Sequence, residues 1–248
     1  MQLNKYLALC GVASRRKSNE AITNGLVSLN GEVVTQLGVV VDPEIDIICY
    51  HGKRLVQPFK YRYILLNKPA NVLTTAKDGR GRRTVLDVVK VPERIFPVGR
   101  LDYDTTGVLL LTNDGDLAYR LAHPKYEIDK IYQARVQGQM DLNAVQKLKT
   151  GVWVEEMGLM QGDARILSAS KKQSSVEIRI HEGKKRQVKQ MLKAVGYPVI
   201  SLERLNFAGI TVGNLPRGGW RELRPEEVKA LYQLTGIKTS YSGNENAK

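Results

Sequence analysis

Cysteine is scarce in this chain: only Cys10 and Cys49 occur, and neither stands in a CxxC pair. A zinc site is therefore not expected, and both thiols are predicted to be reduced packing residues. Long apolar runs are also missing, so no stretch of about 18 residues could cross a membrane. The first residues lack the basic, apolar and cleavable order of a signal peptide, and we expect a cytoplasmic protein.

Acidic residues are outnumbered, since 25 Asp plus Glu face 38 Lys plus Arg and the formal net charge is +13. An excess of this size favours a polyanionic partner, most often nucleic acid. Charge can also serve solubility alone, so its distribution along the chain matters more than its sum. The 248 residues fit one domain or two and are enough to bury a full core.

Residues 1–58 have the pattern of a small helix–helix–sheet module. Apolar residues at helical spacing in residues 3–10 predict a first helix, which Gly11 ends. Ser14 is a good N-cap for a second helix that begins at Arg15. Because cations at a helix N-terminus oppose the macrodipole, the placement of Arg15, Arg16 and Lys17 suits contact with phosphate.

A hairpin and a further strand complete this module. Asn30 and Gly31 supply the positive-φ turn of the hairpin, and residues 45–50 predict the next strand. Residues 59–63 are predicted to form a linker, residues 64–236 a larger domain, and residues 237–248 a disordered polar tail. In the larger domain strands come in runs with few βαβ alternations. The predicted fold class is therefore α+β, with a mostly antiparallel sheet and flanking helices.

The stretch GRLDYDTTGVLLLTNDGD, residues 99–116, places Asp102 and Asp104 in a polar turn before an apolar strand. A calcium loop is rejected, because the later ligand positions fall on Leu110 and Asn113. A magnesium-dependent phosphohydrolase of the haloacid dehalogenase type is a weak alternative. Its aspartates follow a buried strand, whereas here the apolar strand follows the aspartates.

Four segments in order carry a resemblance to a known family. These are NKP at 67–69, GRLD at 99–102, DKIYQARV at 129–136 and IHEGKKRQVKQML at 180–192. Together they resemble the ribosomal RNA pseudouridine synthases of the RsuA/RluB/RluE/RluF branch, and residues 1–58 are similar to the RNA-binding module of ribosomal protein S-four. The resemblance implies an isomerase that converts a uridine of ribosomal RNA to pseudouridine, without cofactor or metal. The chain looks nearer to the RluB-type members, which favours large-subunit RNA.

The resemblance also assigns roles to particular residues. Asp102 would be the nucleophile and Lys189 its basic partner, while Tyr132 would stack on the uracil and receive the proton from carbon 5. Arg100 would occupy the space that the flipped uridine leaves, and Leu101 and Ile180 would line the base pocket. Asp104 is expected only to shape the turn.

RNA binding is expected to be spread over basic residues in several segments. The expected partner is ribosomal RNA or a ribosome-assembly intermediate, bound by a monomer; an assembly factor with the same basic surface and no chemistry stays an alternative. The predicted RNA-binding residues are Arg15, Arg16, Lys17, Lys68, Lys77, Arg80, Arg82, Arg83, Lys184, Lys185, Arg186 and Lys193.

Overall fold

A computed structural model describes residues 1–56, 61–76 and 78–237 of the protein. The chain divides into two compact units: Met1–Arg62 with Pro92–Arg94, and Tyr63–Val91 with Ile95–Lys248. The predicted boundary at residue 58 and nearly all of the predicted tail lie outside the described residues, so these domain limits stay predictions. Tyr63, which was assigned to the linker, is the first residue of a strand.

In its described part, residues 1–56, 61, 62 and 92–94, the first unit contains two helices and a four-stranded antiparallel sheet. Its elements are α1 (Leu3–Leu9), α2 (Arg15–Thr23), β1 (Val27–Leu29), β2 (Glu32–Val34), β3 (Ile48–Tyr50) and β4 (Lys53–Arg54), with the strand order β2-β1-β3-β4. As predicted, Ser14 Oγ accepts a hydrogen bond from the backbone N–H of Lys17. The third strand begins three residues later than predicted, because the side chain of Asn30 holds the backbone N–H of Ile47.

The second unit has five helices and eleven strands among its described residues. The helices are α3 (Val85–Val88), α4 (Gly115–Ala122), α5 (Leu142–Thr150), α6 (Gln187–Ala194) and α7 (Pro225–Thr235), and a short 3-10 helix spans Pro124–Tyr126. The strands are β5 (Tyr63–Lys68), β6 (Phe96–Pro97), β7 (Thr106–Thr112), β8 (Lys130–Gln137), β9 (Val152–Val154), β10 (Gly158–Met160), β11 (Asp163–Ala169), β12 (Gln173–Ile180), β13 (Val199–Phe207), β14 (Ile210–Thr211) and β15 (Trp220–Glu222).

Nine of these strands form one sheet, in the order β11-β12-β8-β13-β7-β5-β15, with β14 beside β13 and β6 beside β7. All neighbours are antiparallel except β13 and β7, which run parallel. The prediction of an α+β fold with a mostly antiparallel sheet and flanking helices is thereby confirmed. Strands β9 and β10 form a separate two-stranded ribbon.

The centre of the large sheet is covered on both faces. Ile64, Leu66, Leu109 and Leu111 pack with residues of α5 and α6, whereas Tyr63, Leu65, Val108 and Leu110 pack with residues of α4 and α7. Strands β5 and β7 therefore need apolar residues at successive positions rather than at alternate ones. The cluster with α5 and α6 also contains Leu101, Tyr132 and Ile180, which places the predicted base pocket on that face.

Gly107 allows the parallel contact between β7 and β13. It pairs with Arg204 and has a φ of +101°, and an added Cβ would lie 2.2 Å from the backbone oxygen of Arg204. No side chain fits in that space, so the position requires glycine. The close approach fixes where β7 starts, and with it the loop that carries Asp102.

Candidate active site

The loop between β6 and β7 presents Arg100, Leu101 and Asp102. Gly99 starts it with a φ of +68°, and the backbone N–H of Thr105 donates to the carbonyl of Asp102 at 3.1 Å, which closes a tight turn. The Thr74 hydroxyl donates to the carbonyl of Leu101 at 2.8 Å and so fixes the residue before Asp102. Arg100 is exposed and Leu101 is buried. The sequence thus forms a backbone-anchored loop that holds one carboxylate at its tip.

Lys68 supports this loop from inside the protein. Its side chain is fully buried, and Nζ donates to the carbonyl oxygens of Pro69, Asp102, Tyr103 and Thr105 at distances of 3.0 to 3.3 Å. The prediction that Lys68 contacts RNA is therefore wrong, since its ammonium cannot reach a phosphate. Burial lowers the pKa of Lys68 to about 8, although the nearby carboxylates oppose that shift. Its position points to a role in holding the loop.

Lys189, on α6, bridges the two carboxylates of the loop. Its Nζ lies 3.7 Å from Oδ2 of Asp102 and 2.5 Å from Oδ1 of Asp104, and its side chain is only 10% exposed. Asp104 is thus the nearer partner, so it positions Lys189 in addition to the structural role in the turn that the sequence predicts. Burial raises the pKa of Asp104, but the hydrogen bond and charge of Lys189 outweigh burial and lower it overall.

A small cavity brings together the predicted catalytic and base-pocket residues Arg100, Leu101, Asp102, Tyr132 and Ile180, and two of the predicted RNA-binding residues, Lys184 and Arg186, line it as well. Tyr132 lies on β8 opposite Ile178, and Ile180 ends the neighbouring strand β12. Both are buried, with Tyr132 7% exposed. The cavity therefore has an aromatic wall, aliphatic walls and a carboxylate, which suits a planar base beside a nucleophile.

Sequence reasoning missed five further residues that line this cavity: Thr105, Gly183, Gln187, Val188 and Leu202. Gln187 is buried, accepts from the backbone N–H of Lys184 at 3.0 Å and donates to Glu182 at 2.9 Å. It therefore ties the basic loop to the first turn of α6. The signal in the sequence was a polar residue on the apolar face of that helix, four residues before Met191.

A wider groove of about 690 Å³ adjoins the cavity, and the two share Arg100 and Asp102. Its lining includes four predicted RNA-binding residues: Arg82, Lys184, Lys185 and Arg186. Arg82 forms an ion pair with Asp78 at 2.9 Å, so its charge is partly balanced. The groove is thus a basic surface that leads to the cavity.

The other predicted RNA-binding residues lie outside this groove. Arg80, Arg83 and Lys193 are exposed. Lys77 lies outside the described residues. In the first unit, Arg15, Arg16 and Lys17 are exposed in the first turn of α2, where Arg15 donates to Gln2 at 2.8 Å and Arg16 pairs with Glu20 at 3.9 Å.

The described residues contain neither a cluster of metal ligands nor a membrane-spanning helix. Within residues 1–56, 61–76 and 78–237, no three His, Cys, Asp or Glu side chains converge as metal ligands. No helix in the same ranges has the length and apolar character needed to cross a membrane.

Comparison with known proteins agrees with this geometry. Residues 62–194 match the RNA pseudouridylate synthase family, and residues 1–47 match the S4 domain. Ribosomal large subunit pseudouridine synthase B of Bacillus subtilis is 47% identical over 236 residues, covering 94% of this chain and 96% of that protein. An RNA pseudouridine synthase of Aquifex aeolicus is 44% identical over 240 residues, covering 96% of each.

A solved structure shows the same fold. It is a crystal structure of a pseudouridylate synthase that superposes with a TM-score of 0.68 at 28% identity, covering 93% of this chain and 99% of that one. The predicted resemblance to the RsuA-type branch is confirmed, as is the resemblance of the first module to an S4 domain.

Proposed function

We propose that this chain, which belongs to the RNA pseudouridylate synthase family, isomerises one uridine of ribosomal RNA with Asp102 as its nucleophile. The observation that carries the proposal is that Asp102 and Tyr132 line one small cavity beside a basic groove, with the ammonium of Lys189 3.7 Å from the Asp102 carboxylate.

The reaction breaks the bond from ribose C1′ to N1 of uracil and forms a bond from C1′ to C5. The proton on C5 leaves and N1 gains a proton, so the atoms of substrate and product are the same. No oxidation and no net hydrolysis occur. The protein has to supply a nucleophile, a means to extract the base and an acceptor for the C5 proton.

Asp102 supplies the nucleophile, because a carboxylate held ionised close to its target can form a covalent intermediate. Lys189 provides the positive charge 3.7 Å from that carboxylate. Asp104 shares the ammonium and fixes the position of Lys189 from the solvent side, since its own oxygen lies 2.5 Å from Nζ. Lys68 holds the backbone carbonyl of Asp102 in place.

Tyr132 stacks on the uracil and its hydroxyl accepts the proton from C5. Leu101 and Ile180 enclose the base, which must leave its stack because the reacting carbon is inaccessible there. Arg100 is an exposed residue of the cavity lining and fills the space that the flipped nucleotide leaves.

The cations of the groove hold the RNA through its phosphates, and the S4 domain adds a second RNA contact. Large-subunit RNA, free or in an assembly intermediate, is the proposed substrate, since the Bacillus subtilis relative is named for that subunit. We propose that the protein acts as a monomer. We place this activity in the cytoplasm.

The test is to incubate the protein with unmodified large-subunit ribosomal RNA and a metal chelator, then map pseudouridine by carbodiimide treatment and primer extension. The wild type should give one modified position. Asp102→Asn should give none and keep the Kd for RNA within about twofold, because the amide cannot act as the nucleophile.

Asp116→Asn is the matched control, as Asp116 is exposed on α4 outside the cavity and the groove. Product formation by Asp102→Asn at the wild-type rate would remove Asp102 from its role. Tight RNA binding without pseudouridine from the wild type would favour the assembly-factor alternative instead.

A further inference from the structure

Three aromatic rings cluster on the outer side of α4 and the 3-10 helix that follows it. The ring centres of Tyr119 and His123 are 5.0 Å apart, and Tyr126 lies 6.1 Å from Tyr119 and 6.4 Å from His123. We call these three residues the aromatic platform. Tyr119 is 50% exposed, whereas the inner face of α4 buries Leu117 and Leu121 in the core. The core of the unit therefore does not require the ring of Tyr119.

Two cations lie over these rings. Nζ of Lys125 is 4.8 Å from the ring centre of Tyr126 and 5.6 Å from that of Tyr119, and the guanidinium of Arg120 is 5.6 Å from that of Tyr126. Exposed rings with adjacent cations are the combination that binds single-stranded nucleic acid, because bases stack on the rings and phosphates pair with the cations. Between Tyr119 and Tyr126 Leu121 is buried, and the exposed residues are Ala122, His123, Pro124 and Lys125, so this surface is mainly aromatic and basic.

The aromatic platform is connected to the candidate active site through His181. The carbonyl of Glu127, the residue after the platform, lies 3.2 Å from Nδ1 of His181, which also pairs with Asp129 at 3.0 Å. Nζ of Lys130 donates to the carbonyls of Ile128 and His181 and fixes the two segments together. Gly183, two residues after His181, lines both the cavity and the groove. Two residues span at most about 7 Å, so the platform borders the segment that surrounds the cavity.

We propose that the aromatic platform stacks an unpaired base of the substrate RNA outside the cavity, on the face of the sheet that α4 covers, and that Lys125 holds the phosphate of that nucleotide. The inference rests on the proposed function, because it takes the RNA in the groove to be the substrate. Sequence-specific recognition of RNA depends on such splayed bases in loops. The platform would therefore help to select which uridine enters the cavity.

The experiment uses the full chain and unmodified large-subunit ribosomal RNA as the probe, with Kd measured over a range of salt concentrations. Tyr119→Ala should weaken binding about 5- to 100-fold, the effect of losing one stacked base. Tyr119→Phe keeps the ring and should bind within about twofold of the wild type. Lys125→Ala should lower the slope of log affinity against log salt by about 0.7.

Trp153→Ala is the matched control, since Trp153 is an exposed aromatic residue of β9 outside the platform, cavity and groove. It should leave Kd unchanged. For Tyr119→Ala, kcat at saturating RNA should match the wild type while KM rises, because the platform does not touch the reacting atoms.

Unchanged Kd for Tyr119→Ala, with melting like the wild type, would overturn the inference. If the wild type forms pseudouridine in that case, the proposed function stands and only the role of the aromatic platform is refuted. If the wild type made none, the proposed function would fail, but the binding measurements would still decide whether the platform contacts RNA. Equal weakening by Tyr119→Phe and Tyr119→Ala would also refute base stacking.

Discussion

Replacing Lys68 with methionine separates the two roles that this residue could have. Methionine fills a similar volume but carries no charge and donates no hydrogen bond. If Lys68 holds the loop of Asp102, as its burial and its four carbonyl partners indicate, the variant should lose activity and keep its affinity for RNA. If Lys68 contacted phosphate, affinity should fall and the salt dependence of binding should become shallower.

The expected effect on stability is small, because two large terms oppose each other. A pKa of about 8 instead of 10.5 means that keeping the ammonium charged in the folded protein costs about 3 kcal/mol at neutral pH. Methionine removes that cost. Within the described residues, two of the four carbonyls keep another donor. The backbone N–H of Thr105 donates to the carbonyl of Asp102, and that of Asn71 donates to the carbonyl of Tyr103. The other two carbonyls lose theirs, at about 1 to 3 kcal/mol each. The net change in unfolding free energy should lie within about 3 kcal/mol of zero.

The effect on catalysis is expected to be much larger. The loop backbone at Asp102 loses its internal anchor, and a displacement of about 1 Å at a reacting group can lower the rate on the order of a hundredfold. Tritium release from RNA labelled at carbon 5 of uridine would measure kcat, and filter binding would measure Kd. Lys185→Met is the matched control: Lys185 is exposed in the groove, so its loss should weaken binding and change kcat little.

The pH dependence of stability gives a further check on Lys68→Met. Because the pKa of Lys68 is lower in the folded protein than in the unfolded one, the cost of keeping its buried ammonium charged is fully present below about pH 8. Between about pH 8 and 10.5 the unfolded wild type holds one more proton than the folded one, so the wild type should gain stability relative to the variant as pH rises. A kcat equal to that of the wild type, or a shallower salt slope for Lys68→Met, would refute the anchoring role.

Two further substitutions test other parts of the site and fold. Asp104→Asn should change stability by less than about 1 kcal/mol at pH 7, since the ion pair with Lys189 is partly exposed. Because the pKa of Asp104 is lowered in the folded protein, its carboxylate stabilises the fold above about pH 4, and this stabilisation is lost as the pH falls. The unfolding free energy measured against pH should therefore show this acid-dependent loss in the wild type and not in Asp104→Asn. Gly107→Ala should destabilise by about 3 kcal/mol or more in urea unfolding, because its Cβ would overlap the backbone of Arg204. Unfolding at the wild-type urea midpoint would contradict the tight contact.

Local signals in the sequence predicted most of the helices and strands. Ser14 marked the start of α2 and Asn30 the hairpin turn, because both act through their own backbone neighbours. The short helix α3 was missed although Thr84 and Asp87 form its capping box. Four residues are too few for apolar periodicity to reveal, so only the capping pair could have found it.

The family motifs predicted that Asp102 and Lys189 lie together, and the structure places the two charged groups 3.7 Å apart, while their roles stay predictions. The candidate site was not predictable where the role depends on burial. In a basic chain, a lysine is expected to lie on the surface. Only the packing of β5 under the loop shows that Lys68 faces inward. Asp104 likewise looked like a turn residue, because its partner lies 85 positions away in the sequence.

The parallel pairing of β7 with β13 has a consequence for how the chain folds. Strands β5 and β7 are close in sequence and can pair early, but the neighbour of Gly107 in β13 is Arg204, and the ammonium beside Asp102 comes from Lys189. Contacts between such distant positions form late, since a long loop must close before they stabilise anything. During synthesis the loop that carries Asp102 therefore leaves the ribosome before Lys189 and before β13, the strand whose contact with Gly107 fixes that loop. If the proposed function holds, nascent chains that end before β13 should therefore form no pseudouridine.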